Sequence, residues 1–337
     1  MEHVAIDLGS KQSHFCIRAA DGTIRKEGRI ETAKLKEWLP MLTPSRIIVE
    51  TCAESFAVAD AAVGAGHEVR VVPATLAPSL GVGEHGVKTD KRDCRQISMA
   101  SCRVELGSVH IPSKTAREWK SLCNFRDAQV ETRTKLINTV RGWLRTQILT
   151  PGKGTAVTFP KRVRTLLEQQ PAGLPAYVER VLQQIEQLTV HVREAEVEIK
   201  QIVENHEVAK RLTTVPGVGP MTGLRFLATI DDVGRFKEAH AVESYLGLTP
   251  GEDSSSMRQR RTGITQAGPT AMRWTLIQAA WCAMRVAPKS DMGEWALKIA
   301  ARRNRQIAAV ALARKLAGIL FAIWRDGTTY KPTLKAN

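Results

Sequence analysis

Four carboxylates are spaced in a way that suggests chemistry on phosphate. Asp7 closes the apolar run of "HVAIDL", Glu50 closes "RIIVE", and Asp90 and Asp93 fall three residues apart in "KTDKRD". If that last segment is helical, Asp90 and Asp93 share one face. Any one of these acids is most simply a solvated surface group; four converging on one strand edge are not. Such a set of hard oxygen donors suits one or two Mg²⁺ ions, which take carboxylate and water ligands. Two metal ions so held can clamp the attacking and leaving oxygens of a phosphodiester. Lys88, Lys91 and Arg92 flank the last pair, where they would offset carboxylate repulsion and hold nucleic-acid phosphate. "IDLGS" also admits a nucleotide phosphate loop, as in an actin-like ATPase. That reading requires a second Asp-x-Gly element and a glycine-rich adenosine pocket further on; the later Gly-Val-Gly runs, "LGVGEHG" and "PGVGP", follow no strand and carry no Asp in place.

The elements that must position these acids are legible from the pattern. "HVAIDL" and "SHFCIRAA" read as strands, and Asp21-Gly22 turns a hairpin into the third strand of "GTIRKEGRI". A short helix over Thr32 to Leu39, the buried strand "RIIVE", a helix over Ala53 to Ala65 and the strand "EVRVVP" follow. Three hairpin strands, then helix, strand, helix, strand, is the order of an RNase H-like (RuvC-like) α/β domain. In such a sheet the fourth strand neighbours the first, bringing Glu50 beside Asp7. Segment 78–96 reads as loop, then helix.

A long helix is expected from Lys114 to Leu149, ended by the linker "TPGKGTAVTFP". Val178, Val181, Ile185, Leu188, Val192, Ala195, Ile199 and Ile202 alternate spacings of three and four, the seam of a coiled coil. Its partner is either the 114–149 helix folded back antiparallel or a second protomer. "VPGVGP" resembles a helix-hairpin-helix turn, in which Gly217 and Gly219 would let backbone amides approach DNA phosphate; a plain helical turn is the alternative. The remainder reads as helices around one polar loop, "SSSMRQRR". Three segments are expected: an α/β catalytic domain over 1–110, a helical coiled-coil region over 111–210, and a mainly α domain over 211–330.

Bulk properties point to a polyanionic partner. The 337 residues carry a net charge of +15, and residues 251–337 alone hold 15 Lys/Arg against 5 Asp/Glu. Nucleic acid is the default partner of such a surface. Six cysteines include no CxxC pair or zinc spacing, so they take no role. Neither a signal peptide nor an apolar run of bilayer length is evident, which predicts a cytoplasmic protein with no membrane partner.

"AIDLGSKQ", "IVETCAES" and "KTDKRD" resemble the DEDD tetrad of insertion-sequence transposases with a RuvC-like N-terminal domain. "VPGVGPMTG" and "YLGLTPGEDSSSMRQRRTGITQAGPTAMRWTLIQAA" resemble their C-terminal transposase domain. The resemblance covers nearly the whole chain in the same order. It implies a nucleoid-associated recombinase of mobile DNA that acts on donor and target duplexes. It also implies guidance by a structured bridge RNA and work as a homodimer or tetramer. The tetrad would be Asp7, Glu50, Asp90 and Asp93. The family's nucleophilic serine would align with Ser255, or alternatively Ser254, since Asp253 and Ser256 stand where Tyr and Gly are more usual. Arg258, Arg260, Arg261 and Arg273 would then hold phosphates beside it. Two other functions fit the residues: a RuvC-like nuclease or Holliday-junction resolvase acting by hydrolysis, and a catalytically dead nucleic-acid-binding protein.

Overall fold

The computed structural model describes residues 1–76, 90–252 and 261–331. It divides into two compact units, 1–112 and 113–337. Helices from the expected middle and C-terminal segments fall together in the second.

The first unit is a five-stranded sheet of β1 (Glu2–Asp7), β2 (Gln12–Arg18), β3 (Ile24–Glu31), β4 (Ser45–Glu50) and β5 (Glu68–Val72). Helices α1 (Leu35–Trp38), α2 (Ser55–Gly64) and α3 (Asp90–Arg103) accompany it. The strand order is β3-β2-β1-β4-β5. β1 pairs antiparallel with β2 and parallel with β4, with Ile6 opposite Val49. Both central strands are apolar on both faces, as a strand covered on both sides must be. Val4, Ile6, Ile47 and Val49 pack with α1 and α2, whereas Ala5, Cys16 and Ile48 pack with Cys94 and Ile97 of α3.

Polar anchors fix where α3 lies. Buried Arg18 donates from Nε to Ser98 Oγ at 3.2 Å and from Nη2 to the Arg95 carbonyl at 3.2 Å. Its Nη1 reaches the Gly22 carbonyl of the β2–β3 turn, so one guanidinium joins hairpin to helix. At the other end His3 Nδ1 and Ser101 Oγ are 2.8 Å apart.

The second unit is helical. It contains α4 (Lys114–Thr146), α5 (Phe159–Glu168), α6 (Ala176–Asn205), α7 (Glu207–Leu212), α8 (Pro220–Ile230) and α9 (Ala239–Tyr245). A two-stranded ribbon, β6 (Pro250–Glu252) and β7 (Arg261–Ile264), follows. Then come α10 (Thr270–Val286), α11 (Asp291–Arg302) and α12 (Arg305–Asp326). The ribbon flanks the segment expected as one polar loop among helices.

α4 and α6 run antiparallel within one chain: Trp119 meets His206, Arg126 meets Glu196, and Val140 and Leu144 share a cluster with Val178 and Ile185. The apolar seam of α6 therefore has a partner in α4. Val178, Ile185, Val192 and Ile199 are buried there, joined by Leu182 and Val203, while the other seam column, Val181, Leu188, Ala195 and Ile202, is only half-buried. Val178, Ile185, Val192 and Ile199 recur every seven residues, and Leu182 and Val203 each follow one of them by four, on its adjacent flank.

Arg225 ties α8 to its neighbours. Its Nη2 donates to Asp127 Oδ2 at 2.6 Å and its Nη1 to Thr275 Oγ1 at 2.9 Å, linking α4, α8 and α10. Among the described residues α12 alone has the length and apolarity of a membrane span, which the sequence reading did not anticipate. Its Leu312, Leu316, Leu320 and Phe321 are wholly buried in the core of this unit.

α4 ends in a Schellman arrangement: the Leu149 amide bonds the Leu144 carbonyl and the Ile148 amide the Arg145 carbonyl, each at 3.0 Å. Ile148 thereby takes φ 56°, where glycine is usual and a β-branched residue is strained, and it is 96% exposed. Ile148→Gly is expected to stabilise the second unit by about 1 kcal/mol, the left-handed penalty less glycine's own entropy. A denaturant midpoint that stays put or falls would show that no such strain exists.

Candidate active site

β1 and β4 are parallel neighbours in register, so Asp7 and Glu50 leave the sheet at the same edge. α3 begins beside them, with Asp90 and Asp93 in its first turn. There the positive end of the helix dipole favours negative charge and offsets part of the repulsion between the acids. Asp93 is buried, Asp7 and Glu50 are half-buried, and Asp90 is exposed. The structure thus gathers all four predicted acids within electrostatic reach of Asp7. Burial pushes the Asp7 carboxyl above the usual range, and the charges of Asp90, Asp93 and Glu50 push it further; His14 opposes them.

His14 is the functional neighbour that sequence reasoning missed. Strand register sets Asp7 opposite His14 and His14 opposite Arg29, a row across β1, β2 and β3. Arg29 Nε donates to His14 Nε2 at 2.7 Å. The imidazole proton is therefore on Nδ1, which faces Asp90 Oδ2 at 3.3 Å. His14 so orients the exposed acid. The signal was present in "SHFCIR", but only the hairpin register reveals which residue stands opposite Asp7.

Lys91 was expected to sit among the acids and hold phosphate. It pairs instead with Glu27 of β3 at 2.7 Å, beside Arg95, whose two contacts to the same carboxylate measure 2.7 and 2.8 Å. Arg95 first, then Lys91, lower the Glu27 pKa to about 2. Both cations strap α3 to the sheet from its solvent side. Arg92 is exposed on the first turn of α3, and Lys88 lies outside the described residues.

Among the described residues no three His, Cys, Asp or Glu side chains close into a finished metal-binding group. The donor chemistry nevertheless fits a divalent cation. The acids are hard oxygen donors, and the repulsion that raises the Asp7 pKa is what a cation would relieve. Cys94 is no competing ligand, because it is buried and its thiol is pushed far up.

In the second unit, the two glycines between α7 and α8 differ in role. Gly217 has φ 85°, and a Cβ there would lie 2.4 Å from the Ala279 carbonyl and 2.7 Å from the Ala283 amide of α10. Helix packing therefore requires a glycine at 217. Gly219 caps α8 and would meet nothing within 4 Å. Ser254, Ser255, Arg258 and Arg260 lie outside the described residues, and Arg261 opens β7.

Residues 245–249 and 265–268, before β6 and after β7, form a clasp. Gly247 and Gly268, at φ 67° and 74°, pass so close to the carbonyls of Ala267 and Tyr245 that a Cβ on either would lie 2.1 Å away. The Thr265 amide bonds the Thr249 carbonyl at 2.9 Å and the Gln266 amide bonds the Gly247 carbonyl at 3.2 Å. Arg273, expected on phosphate, is buried here. Its Nη1 donates to the Leu246 and Ala267 carbonyls at 3.2 and 2.9 Å, and its Nη2 to Thr270 Oγ1 at 3.2 Å. It locks the clasp, with three of its five donors spent on these neighbours.

Residues 4–148 match a family model of DEDD-type transposases of IS110 elements, described as "Transposase", and residues 209–293 match the "Transposase IS116/IS110/IS902 family". A probable family 20 transposase of Pseudomonas aeruginosa is 28% identical, over 98% of this chain and 99% of its own. The transposase for insertion sequence element IS1111A of Coxiella burnetii is 26% identical, over 97% of this chain and 91% of its own. The transposase for IS1328 of Yersinia enterocolitica is 27% identical, over 97% and 98%.

A raised Asp7 pKa means that the folded state holds its proton to higher pH than the unfolded chain does. Stability is therefore lost as pH rises from the ordinary carboxylate value through the folded one. Asp7→Asn is expected to melt at higher temperature than wild type at neutral pH, with the gap closing on acidification and narrowing when divalent cation is added. An equal or lower melting temperature at neutral pH would mean that the acids do not repel one another as described. Gly217→Ala is expected to cost more than about 2 kcal/mol through its clash with α10, and Gly219→Ala under about 1. Equal costs in denaturant unfolding would refute the division of roles.

Proposed function

The chain belongs to the IS116/IS110/IS902 family of transposases, and on that premise we propose that it exchanges DNA strands through a phosphoserine link, directed by a structured RNA. The observation that carries the reading is the gathering of Asp7, Glu50, Asp90 and Asp93 at one end of β1, β4 and α3. A bound Mg²⁺ would supply the charge that stabilises the transferring phosphoryl group and activates the nucleophile.

The chain's own residues account for the remaining steps. Asp7 and Glu50, on adjacent strand ends, and Asp90 and Asp93, on the first turn of α3, hold the divalent site; His14 Nδ1–H keeps Asp90 in place. Ser255 Oγ bonds to the scissile phosphorus as the bond to the departing DNA oxygen breaks, and its proton leaves to a base. The phosphoserine conserves the bond energy. A hydroxyl of the second duplex then attacks it, forming the new phosphodiester and returning the serine without ATP. Arg258, Arg260 and Arg261 hold flanking phosphate, while Arg273 acts through the clasp at the foot of the segment. Base pairing by a guide RNA would carry target choice, leaving side chains to hold backbones. The Gly219 end of α8 serves DNA backbone in a helix-hairpin-helix manner. The half-buried column of α6 offers a homodimer or tetramer a coiled-coil surface.

One observation favours a second reading. All four acids belong to the first unit, so a hydrolytic, resolvase-like nuclease would need nothing from Ser255. Trapping decides between the two. Protein incubated with RNA transcribed from its flanking DNA, labelled donor and target duplexes and Mg²⁺ is expected to form a covalent protein–DNA adduct. The adduct should be lost in Ser255→Ala and in Asp7→Ala, with Ser254→Ala retaining it. Nicked DNA without adduct, unchanged in Ser255→Ala, would establish hydrolysis instead.

A further inference from the structure

We propose that the tip of the α4–α6 hairpin is a second binding site for a phosphodiester backbone, built from Arg141, Arg145, Lys153 and the amides of Gly152 and Lys153. This rests on the reading of the chain as an enzyme of nucleic acid. Residues 132–167 contain eight Lys/Arg and no Asp or Glu. Of these, Arg164 is neutralised by Glu179 and Glu186. Arg141, Arg145, Lys153, Lys161 and Arg162 form no ion pair among the described residues.

The backbone of this loop is shaped for an anion. Arg162 donates from Nη1 to the Pro151 and Gly152 carbonyls at 2.8 and 2.6 Å, and from Nη2 to the Thr155 carbonyl at 3.1 Å. The peptide bonds are trans, and a planar trans peptide points its N–H opposite its carbonyl. With the carbonyls of 151 and 152 turned in to Arg162, the amides of Gly152 and Lys153 point out, and neither donates to a described residue. Consecutive outward amides form an anion-binding concavity. They line a cleft of about 420 Å³ whose other wall includes Arg141 and Arg145 of the last turns of α4. The last carbonyls of α4 do not spoil it, because those of Leu144 and Arg145 already accept the Leu149 and Ile148 amides.

Three unneutralised cations lining one cleft, Arg141, Arg145 and Lys153, suit a polyanion better than a single phosphate ion. The contact reads backbone and not bases, so mixed-sequence probes suffice. Binding of the full-length Arg141→Ala/Arg145→Ala/Lys153→Ala variant to a labelled DNA duplex and to a labelled RNA hairpin would be measured across a salt series. The slope of log affinity against log salt should become shallower by about two to three, with roughly ten- to hundredfold weaker binding, for the nucleic acid that uses the site. The arm that changes tells DNA from RNA. Arg141 stacks over Phe159 at 5.5 Å, so Arg145→Glu/Lys153→Glu repeats the measurement away from the core. Unchanged affinity and slope in both arms for both variants would overturn the site. Asp7→Asn separates this from the parent reading: it should bind as wild type does and form no adduct. If the tip variants bind normally while wild type still forms adduct, only the tip site fails. If wild type neither binds nor reacts, both fail.

Discussion

Repulsion among Asp7, Glu50, Asp90 and Asp93 is the constraint around which the 1–112 unit is organised. Burial and then the charges of Asp90, Asp93 and Glu50 raise the Asp7 pKa, and a fold left to relax would swing the acids apart. Two of them cannot swing, because they terminate parallel strands whose register is set by the core on both faces of the sheet. The other two ride on α3, which Arg18 and His3 hold from beneath and Lys91 and Arg95 hold from outside. The stabilising groups are all placed away from the acids' open side. Stability is given up at the strand edge and recovered in the sheet, an arrangement typical of functional sites.

The 113–337 unit solves a different problem with similar means. Its helices and ribbon must be held together, and a buried guanidinium serves as the fastener at two places. Arg273 gathers carbonyls from both sides of the clasp, and Arg225 joins α4, α8 and α10 through Asp127, Thr275 and the Cys123 carbonyl. Guanidinium is suited to this use, since its donors form a rigid fork and it cannot discharge by losing a proton. Removing Asp127 would leave the Arg225 guanidinium buried without its counter-charge, at roughly 3–5 kcal/mol. The same logic recurs at Arg162, which draws three carbonyls inward and so turns amides out. Arginines that look available for phosphate in a basic chain are thus divided between those that build loops and those that face solvent.

Much was determined by the sequence alone. Alternation and turn residues placed the five strands and their order of connection, because a strand buried on both faces leaves no other pattern. Asp7, Glu50, Asp90 and Asp93 were legible because each sits where an apolar run stops or a helix begins. The seam of α6 was legible as a buried stripe, though not its partner. Tertiary structure decided what depends on residues distant in the chain. It paired α6 with α4, put His14 opposite Asp7 through hairpin register, and drew Lys91 away to Glu27. It buried Arg273 under carbonyls and pressed Gly217 against α10, while leaving Gly219 open. The physical reason is common to all of these. Local pattern specifies which side of an element is apolar, whereas a charged or hydrogen-bonding side chain takes whichever partner the fold brings within about 3 Å, and that partner is not written nearby.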